Sequence, residues 1–388
     1  MATPSTASAG VTSYDLTAGL KLNFDEMIYL ISPTDLPMTL GVDADGSMVV
    51  RTQPVDQTIF YWQDEEMLVP RVALTASATA GTTGLTVTTN EALRFATGDL
   101  VRAVNSLGTE VMKVTAVSGS TVTVGRGYAS TTAIALVTGD ILVGIGTVLA
   151  EGSDPENFRT RDRDVRSNYT EIFGPYQIKM SRTERKITKY GVADEWAKQT
   201  YNRTRELMIR IEQALLYGAK DNQTSGGDAG KRATGGLLHF LTANVDSTST
   251  QLTVSAISDL QQKCYNAGDV PLVLVANPAS LADINDTENT SRLRVIETDS
   301  RRGRARVQVL DTEFGSTVIQ RNRWCHPYHA FLIKPDGVIR RILDPLQYEP
   351  LAKTGDSDKA QLVCEEGFEI KGYQHMAAMT KLTAYTAS

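Results

Sequence analysis

The sequence predicts an α+β fold with a small all-β domain inserted into it. Stretches with helical spacing of apolar residues and stretches with strand-like alternation are mixed along the 388 residues, without a regular βαβ order. The composition changes abruptly between residues 72 and 150, where sixteen threonines stand among only eight charged residues. A chain of this length also suggests two or three domains.

The N-terminal region predicts a loose arm, a short helix and an extended segment. Residues 1–13 are small and polar, and they lack the basic and apolar regions of a secretory signal. Apolar residues at helical spacing predict an amphipathic helix over residues 20–31. Pro33 and Pro37 then predict a rigid turn, because each proline fixes its own φ. An extended run is expected over residues 48–62.

Residues 72–148 predict the inserted domain, an antiparallel sandwich or barrel. The segments Leu85–Thr88, Val111–Val114 and Thr121–Val124 alternate as half-buried strands do. Glycine-containing turns such as Thr97–Leu100 separate them. Charge then rises sharply, with sixteen charged residues among the next forty. These changes at both ends set the predicted bounds of the domain.

A long helix is predicted from Asp194 to Tyr217. Asp194 can serve as its N-cap, and Gly218 ends the pattern. At 1.5 Å per residue the helix would be roughly 36 Å long. Its apolar stripe, which includes Trp196 and Leu207, is narrow, so the helix is expected to pack on one side only.

The remaining part of the chain predicts mixed helices and strands. Helices are expected from Ile257–Leu260 onwards and at Ala279–Ile284, on either side of a buried strand at Pro271–Val275. Further strands are predicted at Val307–Leu310, Thr317–Ile319, Ala330–Ile333, Val338–Ile339 and Phe368–Ile370.

Composition and charge argue against several classes of protein. No apolar run approaches the ~20 residues that span a bilayer. Three cysteines without CxxC spacing indicate neither a disulfide framework nor a zinc knuckle, and they fit a reducing cytoplasm. The net charge of −6 disfavours sequence-specific binding of nucleic acid through its phosphates, although loose contact with DNA stays open.

A search for chemistry predicts no catalytic, cofactor or metal site. The cluster Cys325–His329 has a proline between its ligands and lacks a fourth ligand, so we interpret it as a loop between two strands. Ser225–Arg232 resembles a phosphate-binding loop, but serine replaces its first glycine and arginine replaces its magnesium-binding residue. The pair Gly144 and Gly146 lacks the third glycine of a dinucleotide fingerprint. We therefore predict a protein that is not an enzyme and needs no cofactor.

One charged cluster is a candidate subunit interface. A solvated face is one interpretation of its six arginines, and charge-paired contact with an acidic neighbour is the other, because the guanidinium fork suits carboxylates. Contact with DNA is a third. The candidate residues are Arg292, Arg294, Arg301, Arg302, Arg304 and Arg306.

A set of short motifs carries a family resemblance by its order along the chain. The motifs are Ser32–Pro37, Tyr61–Asp64, Glu151–Asp154, Tyr169–Phe173, Glu212–Gly218, Ala276–Pro278, Glu313–Gly315 and Leu351–Asp356. Together they resemble the major capsid (major head) proteins of tailed bacteriophages, which have the Hong Kong 97-type fold. The resemblance covers about residues 14–382, and the threonine-rich block resembles an insertion that this family commonly tolerates.

The resemblance implies a domain layout. The parts would be an N-terminal arm (1–45), the E-loop with its flanking strands (46–71 and 149–190), the inserted β-domain (72–148), a peripheral domain that includes the long spine helix (191–237 and 341–388), and an axial domain (238–340).

The resemblance also implies a function. The chain would be a structural protein that self-assembles into the icosahedral head shell around phage double-stranded DNA. It would be made in the cytoplasm of the bacterial host and act in the virion.

The implied partners are many copies of the chain, arranged as hexamers and pentamers, together with a portal. A separate scaffolding protein is expected because the arm lacks a long helical pre-segment. Binding of a decoration protein is left open, contact with the packaged DNA would be non-specific, and no membrane is involved.

The alternatives to a capsid protein are a carbohydrate-binding or adhesin-type surface protein, which leaves the long helix unexplained, and a hydrolase with a β-module, which lacks an acid–base site.

Overall fold

The computed structural model mixes helices with sheets, in agreement with the predicted α+β class. It describes residues 33, 35–39, 50–89, 91–105, 107–149, 151–152, 163–189, 192–222, 230–286, 293–294 and 309–383. The chain divides into two compact units, which we call the first unit (Met1–Trp62 and Arg166–Ser388) and the second unit (Gln63–Val165). The predicted helix over residues 20–31 and the Ser225–Arg232 loop, apart from its last three residues, lie outside the described residues.

The secondary structure of the described residues is as follows. The strands are β1 (Arg51–Pro54), β2 (Ile59–Asp64), β3 (Arg71–Ala73), β4 (Gly84–Thr86), β5 (Asp99–Asn105), β6 (Gly108–Ser118), β7 (Thr121–Gly125), β8 (Ile141–Thr147), β9 (Asp164–Tyr169), β10 (Glu171–Ser181), β11 (Asp221–Asn222), β12 (Arg232–Ala233), β13 (Val245–Asp246), β14 (Val273–Ala276), β15 (Leu293–Arg294), β16 (Val309–Thr312), β17 (Gly315–Arg321), β18 (Ala330–Ile333), β19 (Val338–Leu351), β20 (Ser357–Ile370) and β21 (Ala377–Met379). The helices are α1 (Arg182–Lys186), α2 (Glu195–Tyr217), α3 (Leu237–Phe240), α4 (Val254–Ala267) and α5 (Pro278–Asp286).

A seven-stranded sheet in the order β13-β21-β18-β14-β17-β16-β15 lies in the first unit. Strands β14 and β18 are buried at every position because both faces of the sheet are covered. Leu274 and Leu332 pack with helices α4 and α5 on one face. Val275 and Phe331 join a second cluster with α2 and α3 on the other. This double burial explains why the sequence of β14 is continuously apolar.

A four-stranded sheet in the order β1-β19-β20-β10 carries the long helix α2. Leu207, Ile211 and Leu215 are fully buried, and they share a core cluster with Phe173 and Phe368 of the sheet. The helix begins at Glu195 and ends at Tyr217, so its prediction is confirmed. Its other faces carry no comparable apolar stripe.

Two ends of α2 are fixed by local contacts. The side chain of Asp194 accepts hydrogen bonds from the backbone N–H groups of Trp196 (2.9 Å) and Ala197 (3.4 Å). At the other end, the N–H of Gly218 donates to the carbonyl of Ala214 at 2.8 Å. The N-cap and the glycine at the end therefore act as the sequence predicted.

The hairpin of β19 and β20 is longer than the sequence predicted, with 14 residues in each strand. We predicted only Val338–Ile339 and Phe368–Ile370 as strand. Most of the outer half of β19 is exposed, and it carries prolines at positions 345 and 350 and little apolar alternation. Cross-strand pairing extends these strands where the local pattern is weak.

The second unit contains a six-stranded sheet in the order β3-β8-β5-β6-β7-β4. Its strand pairs are antiparallel. A bridge between Leu74 and Val87 links the two edges of the sheet, and the N–H of Thr75 donates to the carbonyl of Thr86 at 3.0 Å. The link favours a barrel over a sandwich. The unit is wider than the predicted segment 72–148 at both ends.

The inside of this sheet holds a core of its own. Leu85, Met112 and Leu142 are fully buried there. Glu110 and Arg126 form a buried ion pair with two hydrogen bonds, at 2.8 and 2.7 Å. Arg126 also donates to the carbonyls of Thr79 and Thr82, and the Glu110 carboxylate accepts from two backbone N–H groups. The pair therefore ties several loops together.

Candidate functional site

The six candidate arginines cannot be given a geometry. Arg292, Arg301, Arg302, Arg304 and Arg306 lie outside the described residues. The backbone of Arg294 is in β15 and pairs antiparallel with Val309 of β16, but its side chain is not described. Their role as an interface stays a prediction.

The cluster at Cys325–His329 forms the loop between β17 and β18. Cys325 is buried, and burial raises the pKa of its thiol to about 11, which keeps it protonated and unreactive. Its Sγ lies 3.3 Å from the carbonyl oxygen of His329 and 3.7 Å from the hydroxyl of Tyr217. Burial also lowers the pKa of His329. The prediction that this cluster is a loop between two strands is confirmed.

In the described part of the chain, no three His, Cys, Asp and Glu side chains are grouped so that they could hold a metal ion. None of the helices in that part of the chain combines the length and the apolar content of a membrane span.

One buried polar site in the first unit is a dock for residues 35–39, which we call the N-terminal dock. Its centre is Glu212 of α2, whose side chain is fully buried. The carboxylate accepts the backbone N–H of Met38 at 2.8 Å and that of Thr39 at 2.9 Å. The side-chain amide of Asn322, which follows β17, donates to the same carboxylate at 2.8 Å.

Burial raises the pKa of Glu212, and the hydrogen bonds from Met38, Thr39 and Asn322 oppose that rise. The three donors are neutral. A buried carboxylate that meets several N–H groups is held in one orientation, since charge-assisted hydrogen bonds are strong in a low-dielectric interior. The geometry therefore makes Glu212 a hydrogen-bond acceptor for backbone N–H groups rather than a proton-transfer group.

Three further contacts hold the same segment from its other side. Gln320 of β17 donates to the carbonyl of Pro37 at 3.2 Å. The indole N–H of Trp324 donates to the carbonyl of Asp35 at 2.8 Å. Met38 is fully buried in the core cluster of the first unit. Main-chain atoms of residues 35, 37, 38 and 39 are thus all engaged.

The dock joins two of the sequence motifs. The motif Ser32–Pro37 overlaps the docked residues 35–39, and Glu212 is the first residue of the motif Glu212–Gly218. The glycine of that motif also has a packing reason. A Cβ at Gly218 would lie 2.5 Å from the carbonyl oxygen of Thr234, and Gly236 donates to the carbonyl of Gly218 at 2.8 Å.

Sequence reasoning missed the role of Glu212. A signal was present, because Met208, Glu212 and Leu216 follow one another at helical spacing along the inner face of α2. An acid at such a position is buried and needs hydrogen-bond donors. The donors come from residues more than 100 positions away, so no local pattern could identify them.

A polar cleft lies at the start of α2, with a volume of about 580 Å³. Lys189 pairs with Glu184 and, at 3.6 Å, with Glu195. The indole N–H of Trp196 donates to the hydroxyl of Tyr348 on β19 at 3.0 Å. Three of the charges that line this cleft therefore pair with one another, and Arg185 pairs with Asp358 outside it.

The outward face of the sheet in the second unit carries exposed apolar side chains beside two arginines. Val104 is 53% exposed, and it lies opposite Ile141 in the strand register. Val143, on the same face, stands between Arg71 and Arg102 on the two neighbouring strands. Adjacent strands are about 4.8 Å apart, so the two arginine backbones are roughly 10 Å apart. This face is suited to contact with protein rather than with a small molecule.

Comparison with known proteins points to one family. The model of the family described as SU10 major capsid protein matches residues 6–383. No curated protein sequence matches the chain. A solved structure from Mycobacterium phage Adephagia is 11% identical, covers 98% of this chain and 100% of its own, and has a TM-score of 0.50. One from Mycobacterium phage Bobi is 11% identical, covers 97% and 100%, and also has a TM-score of 0.50. These two structures share the fold.

Proposed function

The chain belongs to the SU10 major capsid protein family, and from this premise we propose that its copies form hexamers and pentamers that close into an icosahedral shell. It is a structural capsid protein, it builds the phage head shell, and it is located in the virion. Many copies of the chain assemble to make that shell. The match over residues 6–383 is the observation that carries this conclusion.

Within this function, we propose the Hong Kong 97-type layout. Residues 46–71 and 149–190 would form the E-loop, and α2 would be the spine helix of a peripheral domain made of residues 191–237 and 341–388. The long helix on an open four-stranded sheet supports this part of the map. The seven-stranded sheet with α4 and α5 would form most of the axial domain, residues 238–340.

We further propose that residues 72–148 form an inserted module on the outer surface of the shell. The core formed by Leu85, Met112 and Leu142 supports this, because a segment with its own core needs little from its host. The two chain connections run side by side, since Arg163 pairs with Glu65 at 3.2 Å. An insertion whose ends are adjacent affects the host fold no more than a surface loop at the same position would.

The protein would act by adhesion and not by catalysis. Buried thiols and a polar cleft with internally paired charges support this view. We propose a separate scaffolding protein, a portal and non-specific contact with packaged double-stranded DNA as further partners. The arginine cluster 292–306 would meet acidic surface on a neighbouring copy, where guanidinium groups pair well with carboxylates.

Assembly tests this proposal. We expect the purified chain, alone or with its scaffolding protein, to form closed particles or capsomer rings that sediment far faster than a 42.2 kDa monomer. Electron microscopy would show their symmetry. Replacing the six arginines by glutamine should weaken assembly without unfolding the subunit. A stable monomer under all salt conditions and with scaffold present would contradict the proposal.

A further inference from the structure

Glu212 holds the segment Asp35–Thr39 through main-chain contacts that no other described residue duplicates. Its two carboxylate oxygens each receive a backbone N–H, from Met38 and from Thr39. A carboxylate accepts several hydrogen bonds at once but donates none. The side chain therefore fits a stretch of chain whose consecutive N–H groups point the same way.

We propose that Glu212 is a positioning residue for shell assembly, which fastens the segment Asp35–Thr39 to helix α2 and so fixes the point from which the preceding chain departs. The inference rests on the shell-building function proposed above. It adds a specific residue and a specific contact to that function.

The position of Glu212 in the fold supports this role. It lies on α2 between Ile211 and Leu215, two fully buried residues, so its backbone cannot shift without disturbing the core. Asn322 is also fully buried, and its own N–H donates to the carbonyl of Ala276 at 3.0 Å. The carboxylate is thus held between two rigid elements, α2 and the end of β17. A segment that binds this carboxylate is therefore positioned by both α2 and the end of β17.

Apolar burial also holds the segment, because the side chains of Leu36 and Met38 are buried. Asp35 pairs with Arg323 at 3.6 Å, but both side chains are at least half exposed, and such pairs contribute little. Gln320 and Trp324 each supply one hydrogen bond to a carbonyl. Loss of the Glu212 contacts would leave the N–H groups of Met38 and Thr39 without their acceptor.

The substitution Glu212→Gln isolates this effect, because the two side chains have nearly the same shape. The amide has one acceptor oxygen and one NH₂ donor. If the NH₂ faces Thr39, one backbone donor loses its acceptor. If it faces the other way, Met38 and Asn322 both lose theirs. In either orientation at least one backbone N–H of the dock loses its acceptor.

Amide hydrogen exchange on unassembled subunits measures the dock directly. We expect the amide of Met38 or that of Thr39, whichever loses its acceptor, to exchange at least tenfold faster in Glu212→Gln, while amides of β14 and β18 keep their rates. Glu206→Gln is the matched control on the same helix, since Glu206 is exposed and pairs with Arg203 at 2.6 Å.

Assembly of the same variants then tests the positioning role. We expect Glu212→Gln to lower the yield of closed particles at least fivefold, whereas Glu206→Gln and the wild type assemble alike. Trp324→Phe, which removes the bond to Asp35 and leaves the Glu212 contacts in place, should show a smaller effect on both readouts.

The possible contrary results are distinct. Unchanged exchange at Met38 and Thr39 would overturn the dock itself. Faster exchange throughout the first unit would assign Glu212 a structural role only. Faster local exchange with normal assembly would overturn the positioning role. Failure of the wild-type chain to assemble would instead contradict the shell-building function.

Discussion

Truncation of Leu207 provides the sharpest test of how α2 packs on its sheet. Leu207 is fully buried in the core cluster of the first unit. Leu207→Ala removes three carbon atoms, which at ~0.8 kcal/mol each gives about 2.4 kcal/mol of lost transfer free energy. A cavity that relaxes only in part adds about 1–2 kcal/mol. We therefore expect the free energy of unfolding to fall by about 3.5–4.5 kcal/mol.

Tryptophan fluorescence is well suited to this measurement. Trp62, Trp196 and Trp324 are the three tryptophans of the chain, and all of them belong to the first unit. Urea unfolding of unassembled subunits, followed by their emission, reports the unit that contains α2.

Two control variants separate packing from other effects. Leu207→Met conserves most of the volume and should cost less than about 1.5 kcal/mol. Gln213→Ala lies on the exposed side of the same helix and should change stability by no more than about 0.5 kcal/mol. A loss below about 1 kcal/mol for Leu207→Ala would refute the placement of this stripe in the core.

Two further predictions concern the second unit. Arg126→Met leaves the buried carboxylate of Glu110 without its partner, so the unit should lose about 3–5 kcal/mol of stability; calorimetry would detect this, and an unchanged transition would contradict the buried pair. Replacing residues 65–163 by a Gly/Ser linker should leave the urea midpoint of the tryptophan signal unchanged, because β2 and β9 keep nearly their full length. A first unit that no longer folds in that variant would show that the module belongs to the central core.

Local sequence signals were enough to predict those elements whose capping residues and apolar pattern lie within the element itself. The helix α2 was predicted because Asp194, the apolar stripe and Gly218 are all local, and each one acts as expected. The buried strand β14 was predicted for the same reason, since four consecutive apolar residues have no solvated face. The loop at Cys325–His329 was predicted because Pro327 stands between the candidate ligands, and the segment does connect β17 to β18.

Long-range pairing explains what the sequence did not predict. The outer half of the β19–β20 hairpin has few apolar residues, and it is extended because each strand supplies the other with hydrogen-bond partners. The same holds for Leu74 and Val87, whose bridge favours the barrel over the sandwich. Neither property is encoded in a short window of residues.

The sequence by itself determined the fold class, the long helix, the buried strands and, through the order of its motifs, the resemblance to phage capsid proteins. Only the tertiary structure decided what Glu212 does. A buried carboxylate is defined by the donors around it, and these come from Met38, Thr39 and Asn322, each more than 100 residues away. Hydrogen bonds between distant segments exist only once packing has brought those segments together, so periodicity along the chain cannot show them.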